Sequence, residues 1–475
     1  MIHKMRPRVR EWRGWTNDPI KSSELLFEYN SIMKFIDKAN VFVFLNSNNM
    51  RAQVTKGTAS SFIIQGGFAG LSFITATFLA RMLGSEGYGA YSNAIAWANI
   101  FTALSLFGFN SLLLRDIAIL QAQNNWALVK GLLRFSDGLI LAISLILSFI
   151  LLATASLLFS SLEKEQLRFT LWIAAPLIPL WTLANLRQSA IRGLQHITHA
   201  MLPDLIFRPI LTLACIVGVY LLWPKLLNSQ ISMALSVGSA IIALAIAIVW
   251  LQNFLPKDFG KVDPQYQIKE WLKVSSPMFV FGVTQIIISQ APIVILGLFS
   301  TTENVGYFTV VSRVANLLIF LPIAVSIVMG PLIARLNSQG EKVRLQNVLK
   351  RTTRLTFAVT LLGGSVFLIF GKNILSVFGL EFTIAYKALI MLVIGYLVDT
   401  GLGISIITLT MTGHERTVAN YQIVSVVMLI VLCSLLTPLS GYEGAALASM
   451  GIMIFSRLIF ALVVIKKTGL NTTIF

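Results

Sequence analysis

Charge is what this sequence most lacks. Asp, Glu, Lys and Arg together make up 12% of its 475 residues, about half the share of a soluble domain. A chain this long cannot cover a water-facing surface with so few charges, which excludes the ordinary soluble, fibrous and disordered classes. Cysteine is nearly absent too. Cys215 and Cys433 lie in apolar runs (LACIV and VLCSL); two are too few for a disulfide framework or a thiolate metal site, and apolar packing accounts for both. Acids are the scarcer charge, 20 against 37 Lys and Arg, for a net charge of +17. On a soluble domain that balance would suggest nucleic acid, but in a membrane chain basic cytoplasmic loops explain it, and no nucleic-acid partner is expected. No G-x-x-x-x-G-K-[ST], H-E-x-x-H or G-x-S-x-G occurs. Nothing therefore points to ATP-driven transport, a metallopeptidase or a serine hydrolase, and no cofactor or metal is expected.

What the chain has is hydrocarbon: 56% apolar residues and a mean hydropathy of +0.78. Twelve apolar runs are long enough to cross a membrane, at about 58–80, 88–114, 135–161, 169–187, 204–223, 230–255, 274–299, 305–334, 355–371, 387–411, 419–438 and 442–465. Inside a bilayer the backbone must satisfy its own hydrogen bonds, so runs of this length are helices. Connections on one side carry 28 Lys and Arg and those on the other 6, which places both termini in the cytoplasm.

The most polar stretch between spans, KDFGKVDPQYQIKEWLK at 257–273, divides the chain. The predicted organisation is a basic extension at 1–56, a six-helix lobe at 57–256, a cytoplasmic linker at 257–273, a second six-helix lobe at 274–467 and a short cytoplasmic tail at 468–475. A shift of 217 residues supports the division. It lays Glu86, Gly89, Ala98 and Asn99 on Glu303, Gly306, Ala315 and Asn316, Phe62 on Phe279 and Arg134 on Arg351. Six spans per copy is an even number, so both copies enter from the same side and are related by a pseudo-twofold axis along the membrane normal. The expected fold class is all-α integral membrane, with twelve transmembrane helices as two pseudo-symmetric six-helix bundles around a central cavity. The extension fits poorly with this plan: it is either a surface anchor or a start-site artefact, with translation beginning at Met50. Two inner connections, Arg115–Arg134 and Arg335–Arg354, read as amphipathic segments along the interface. Trp223, Trp250 and Trp271 read as an interfacial aromatic belt.

Residues 78–97, FLARMLGSEGYGAYSNAIAW, followed by FTALSLFGFNSLLLRDIA, resemble the polysaccharide-biosynthesis flippases. These are the Wzx-type O-antigen and exopolysaccharide exporters, of the superfamily that also holds multidrug and toxin extrusion proteins and the lipid II flippase. The shared pattern is an Ala-Arg-x-Leu-Gly exit from span one, a Gly-Tyr-Gly turn, and a second span ending in Gly and a basic residue. The resemblance covers roughly 55–465. It implies a two-lobed bundle in the bacterial inner membrane that moves undecaprenyl-diphosphate-linked oligosaccharide from inner to outer leaflet by alternating access, driven by a cation gradient. Membrane lipids are implied partners, with the polysaccharide polymerase and chain-length machinery as further candidates. It carries no catalytic signature, so a transporter and not an enzyme is expected. The competing readings are a cation-coupled drug exporter on the same fold and, behind it, a membrane-embedded glycan polymerase or ligase, whose long outer loop this chain lacks.

Charged residues at membrane depth are costly and mark sites. Arg313, in YFTVVSRVANLLIF, has no carboxylate within one helical turn, and its planar fork suits a diphosphate. Arg457 follows the same logic nearer the cytoplasmic end. Asp399 is the deepest acid, open to two readings: a protonation or sodium site, or a permanent counter-charge for Arg313 or Arg457. Gln65, Gln285 and Gln290 are neutral candidates for glycan contact, or for interhelical hydrogen bonds. Asp204 and Arg208, four apart, are expected to pair with each other.

Overall fold

The computed structural model describes residues 50–161 and 164–474, with side chains from Ile64 onward except at Leu321. Most of the extension, and with it the choice between Met1 and Met50, lies outside the described residues. The helices are α1 (Met50–Leu106), α2 (Phe109–Ala122), α3 (Trp126–Leu158), α4 (Glu165–Ala174), α5 (Leu177–Gly193), α6 (Ile197–Leu202), α7 (Arg208–Leu222) and α8 (Ser229–Phe254). After the 255–267 connection come α9 (Ile268–Phe299), α10 (Thr302–Ala315), α11 (Phe320–Ser338), α12 (Lys342–Ser376), α13 (Tyr386–Gly401), α14 (Ser405–Met411) and α15 (Glu415–Thr468).

Among the described residues ten helical stretches are long and apolar enough to cross a membrane. Two are too long to cross once: the 54 residues of α15, if straight, would reach about 80 Å against a hydrocarbon core of about 30 Å. Glycines break both. Gly84 in α1 (φ 68°, ψ 178°) and Gly441 in α15 (φ 54°, ψ −129°) each interrupt helical geometry and join two rods. Exposed Leu157, Ile369 and Phe149, each more than 70% accessible, belong to an apolar coat that is stable against lipid and not against water.

Small residues set the packing before the connection. Ser229, Ser232, Ser236, Ala240, Ala243 and Ala247 form a buried stripe on α8, which lets α4, α5 and α7 approach closely. The hydroxyls are used: Ser229 bonds Thr170, Ser239 bonds Thr212 at 2.6 Å, and Ser236 meets Tyr91 at 2.9 Å. After the connection, α13 packs on α12 and α15. There Ala291 and Ile295 of α9 meet Leu429, Cys433, Ala448 and Ile452 of α15, so Cys433 is core. Cys215 instead lies on an exposed face of α7.

The 217-residue offset reappears as geometry. A Cβ on Gly89 would stand 1.8 Å from the Thr302 carbonyl oxygen, and one on Gly306 would stand 2.1 Å from the Ser85 carbonyl oxygen. Gly89 and Gly306 are one offset apart, and so are Ser85 and Thr302; the two contacts are the same contact made twice, reciprocally, as at an isologous interface. Around it Arg81 donates to the Val377 carbonyl at 2.5 Å, Ser85 to Glu381, Asn93 to the Ile293 carbonyl, and Lys164 to the carbonyls of Gly297 and Leu298.

The connection is strapped down. Lys130, buried, donates to the carbonyls of Gly260 and Val262, each at 2.7 Å, and the Gln265 amide donates to the Ala127 carbonyl. A Cβ on Gly131 would lie 1.7 Å from the Gln265 carbonyl oxygen. Gly131→Val is therefore expected to lift the strap at a cost of about 1–3 kcal/mol, read as a lower Tm and faster proteolysis within 257–267. Unchanged Tm and cleavage would refute the strap.

Several local expectations change. Trp271 leaves the predicted aromatic belt: the strap draws the first turn of α9 onto α3, burying this ring to 2% exposure beside Phe135 at 5.8 Å. Trp223 stays exposed. No separate interfacial helix spans Arg335–Arg354, because α11 continues to Ser338 and α12 starts at Lys342. In Arg115–Arg134 the first part belongs to α2, whose Phe109, Leu112, Leu113 and Ile117 are buried. Ahead of Pro322 the chain tightens into a 3-10 turn at Asn316–Ile319, as expected where proline removes a donor and crowds the carbonyl four residues back.

Candidate functional site

Arg313 is half-buried on α10 and donates to the Ser72 hydroxyl of α1 at 3.1 Å. The contact joins residues 241 positions apart, one from each sequence half. Arg313 makes no ion pair among the described residues. On the first half the buried Tyr91 phenol is held by Ser236 at 2.9 Å. Arg208 is countered by Asp204 at 3.6 Å and lies 4.9 Å over the Trp181 ring. Of these two guanidinium groups, one from each half, only Arg208 has a counter-charge among the described residues.

One turn beyond Arg313, Asn316 accepts a hydrogen bond from Tyr396 of α13. On the same helix Asp399 binds Arg457 of α15 directly. Of the two partners considered from sequence, Asp399 sits with Arg457 and leaves Arg313 without a carboxylate. Asp399→Asn strands a half-buried cation, at a cost of about 1–3 kcal/mol given partial exposure. A Tm drop in the single variant, relieved in Asp399→Asn/Arg457→Gln, is the expected result; equal loss in both would contradict a mutual pair.

Gln65 and Gln290 are half-buried and Gln285 is exposed. Gln290 bonds only its neighbour Ser289 among the described residues, and Gln65 and Gln285 make no hydrogen bond to another helix there. His196 stacks on Phe254 at 3.9 Å, with His199 beside it. Burial first, and then the His199 charge, holds the His196 imidazole below its usual range. Among the described residues no three His, Cys, Asp or Glu side chains converge as metal ligands.

Sequence reasoning missed Ser72, Tyr91 and Tyr396. Tyr91 ends the Gly-Tyr-Gly-Ala-Tyr stretch, so the motif pointed near it; a serine in an apolar helix carries no comparable signal.

The chain is thus a helical membrane protein built from two copies of one unit, with reciprocal contacts between the copies and, among the described residues, a cation without an ion pair where they meet. Solved structures share this fold. An inward-facing multidrug resistance MATE family transporter of the MOP superfamily superposes with a TM-score of 0.69, at 14% identity, covering 84% of this chain and 95% of that one. The lipid II flippase MurJ in an inward closed conformation gives 0.66, at 16% identity, covering 86% and 87%. Residues 54–337 match the polysaccharide biosynthesis protein family, and the chain belongs to it. The probable low-salt glycan biosynthesis flippase Agl15 of Haloferax volcanii is 24% identical over 394 residues, 80% of this chain and 77% of that protein. The chain is thus a multi-pass membrane protein of that family, with the fold that the MATE family transporter and MurJ share.

Proposed function

We infer that this protein carries undecaprenyl-diphosphate-linked oligosaccharide from the inner to the outer leaflet of the bacterial inner membrane, with both termini cytoplasmic. Counting the rods on either side of Gly84 and Gly441 separately gives twelve spans, six on each side of the 257–273 linker. The reciprocal Gly89 and Gly306 contacts then lie near the pseudo-twofold axis, at the end the basic loops assign to the outside. Alternating access breaks that contact and opens the site outward. A cation gradient is the proposed driving force, and Gln65, Gln285 and Gln290 remain the proposed glycan contacts.

Arg313 carries this reading. A cation held at membrane depth without a carboxylate is expensive, and a diphosphate supplies the missing charge while the polyprenyl tail stays in lipid. The multidrug exporter reading draws on the MATE-like fold, but an uncountered guanidinium repels cationic drugs. The test is the sidedness of lipid-linked oligosaccharide in host cells. Accumulation on the cytoplasmic leaflet on deletion, reversed by the intact chain, is expected. Unchanged sidedness in a host with no second flippase would move drug export to the front.

A further inference from the structure

A polar cavity of about 280 Å³ lies between α3, α5, α8 and the turn that opens the strapped connection. Its walls include Lys130, Arg134, Asp137, Arg187, Gln252 and Phe259, three cations against one carboxylate. Arg187 pairs with Asp137 at 2.8 Å. Lys130 uses two of its three donors on the Gly260 and Val262 carbonyls. Arg134 is exposed and has no ion pair or hydrogen bond among the described residues. The second Asp137 oxygen is buried without a donor. The cavity thus has a free guanidinium and a net positive charge, beside a carboxylate whose buried oxygen has no donor.

We propose that this cavity is a binding site for a phosphodiester headgroup, with the phosphate on Arg134 and Lys130 and a headgroup hydroxyl toward Asp137. Its level fits a phospholipid: the lining residues sit in the first turns of α3 and the last turns of α5 and α8, where the span ends meet the basic loops. Basic pockets between helices at that depth suit anionic headgroups. The cavity also includes Phe259, which packs edge-on against Trp126 at 6.3 Å, so an occupant would touch the strap leading into α9.

The test uses the full chain in neutral detergent and native mass spectrometry, titrating dioctanoyl phosphatidylglycerol, dioctanoyl phosphatidylcholine and inorganic phosphate separately. One saturable phosphatidylglycerol adduct is expected, preferred over phosphatidylcholine. Arg134→Gln, exposed and unpaired, should keep the Tm and weaken that adduct at least about tenfold, as for a charge-assisted hydrogen bond. Arg335→Gln, removing an exposed charge at another helix end, should weaken it no more than about fivefold, the general surface effect of one basic residue. Equal loss in the two variants, or equal binding of phosphatidylcholine, would overturn the site. Inorganic phosphate binding as tightly, in competition with phosphatidylglycerol and sensitive to Arg134→Gln, would keep the anion site and overturn the lipid as its source.

Discussion

Arg313→Ala is expected to cut flux of lipid-linked oligosaccharide by about 10- to 150-fold, with expression and Tm little changed. The magnitude is that of hydrogen bonds to a charged group, about 1.5–3 kcal/mol, and the direction follows from geometry. The side chain's hydrogen-bond partner is a neutral serine at 3.1 Å, so its removal orphans no carboxylate and leaves the fold intact. The loss falls on whatever anion the guanidinium serves. Arg313→Lys keeps the charge and loses the bidentate fork, so an intermediate flux is expected. Flux within twofold of the intact chain for Arg313→Ala would remove the proposed diphosphate contact.

Gly89→Val and Gly306→Val are expected to be as severe for a different reason. Each new Cβ would collide with a backbone carbonyl, of Thr302 or Ser85, which has no rotamer by which to yield. Overpacking of this kind costs about 1–3 kcal/mol, enough to shift a two-state equilibrium about 5- to 150-fold. The halves would be held apart at this end, and cycling would stop. Positions 81 and 377 report the change, because Arg81 reaches the Val377 carbonyl. In a chain freed of Cys215 and Cys433, a short bifunctional thiol reagent should join Arg81→Cys to Val377→Cys efficiently. Adding either valine should largely abolish the product. Unchanged crosslinking with full flux would show that the close contact plays no part in transport.

Much of the fold was legible because hydrocarbon imposes simple demands. Apolar runs had to be helices, and the 217-residue offset showed up as repeated Glu, Gly, Ala and Asn. The offset did not show that Gly89 and Gly306 meet the opposite copy; that depends on the approach of two helices 217 residues apart. Choosing between Arg313 and Arg457 as the partner of Asp399 was out of reach for the same reason. Residues 399 and 457 are 58 positions apart, and which faces meet is set by the rotation of α13 and α15. Asp137 carries no signal of a partner in its own helix, yet Arg187 pairs with it from α5, 50 positions away. Trp271 was misread because belt placement follows from composition near a span end, whereas its burial depends on a strap held by Lys130 and the bare backbone at Gly131. Where one helix decides a feature, the sequence was enough. Where two helices decide it, packing was needed.

The most direct measurement is translocation by the purified chain in proteoliposomes loaded with polyprenyl-diphosphate-linked oligosaccharide, read as the fraction of glycan accessible to an external enzyme. The account predicts protein-dependent transfer that falls by at least about tenfold in Arg313→Ala. No transfer by the intact chain under an imposed cation gradient, with gradient-dependent movement of a cationic dye in the same vesicles, would contradict it.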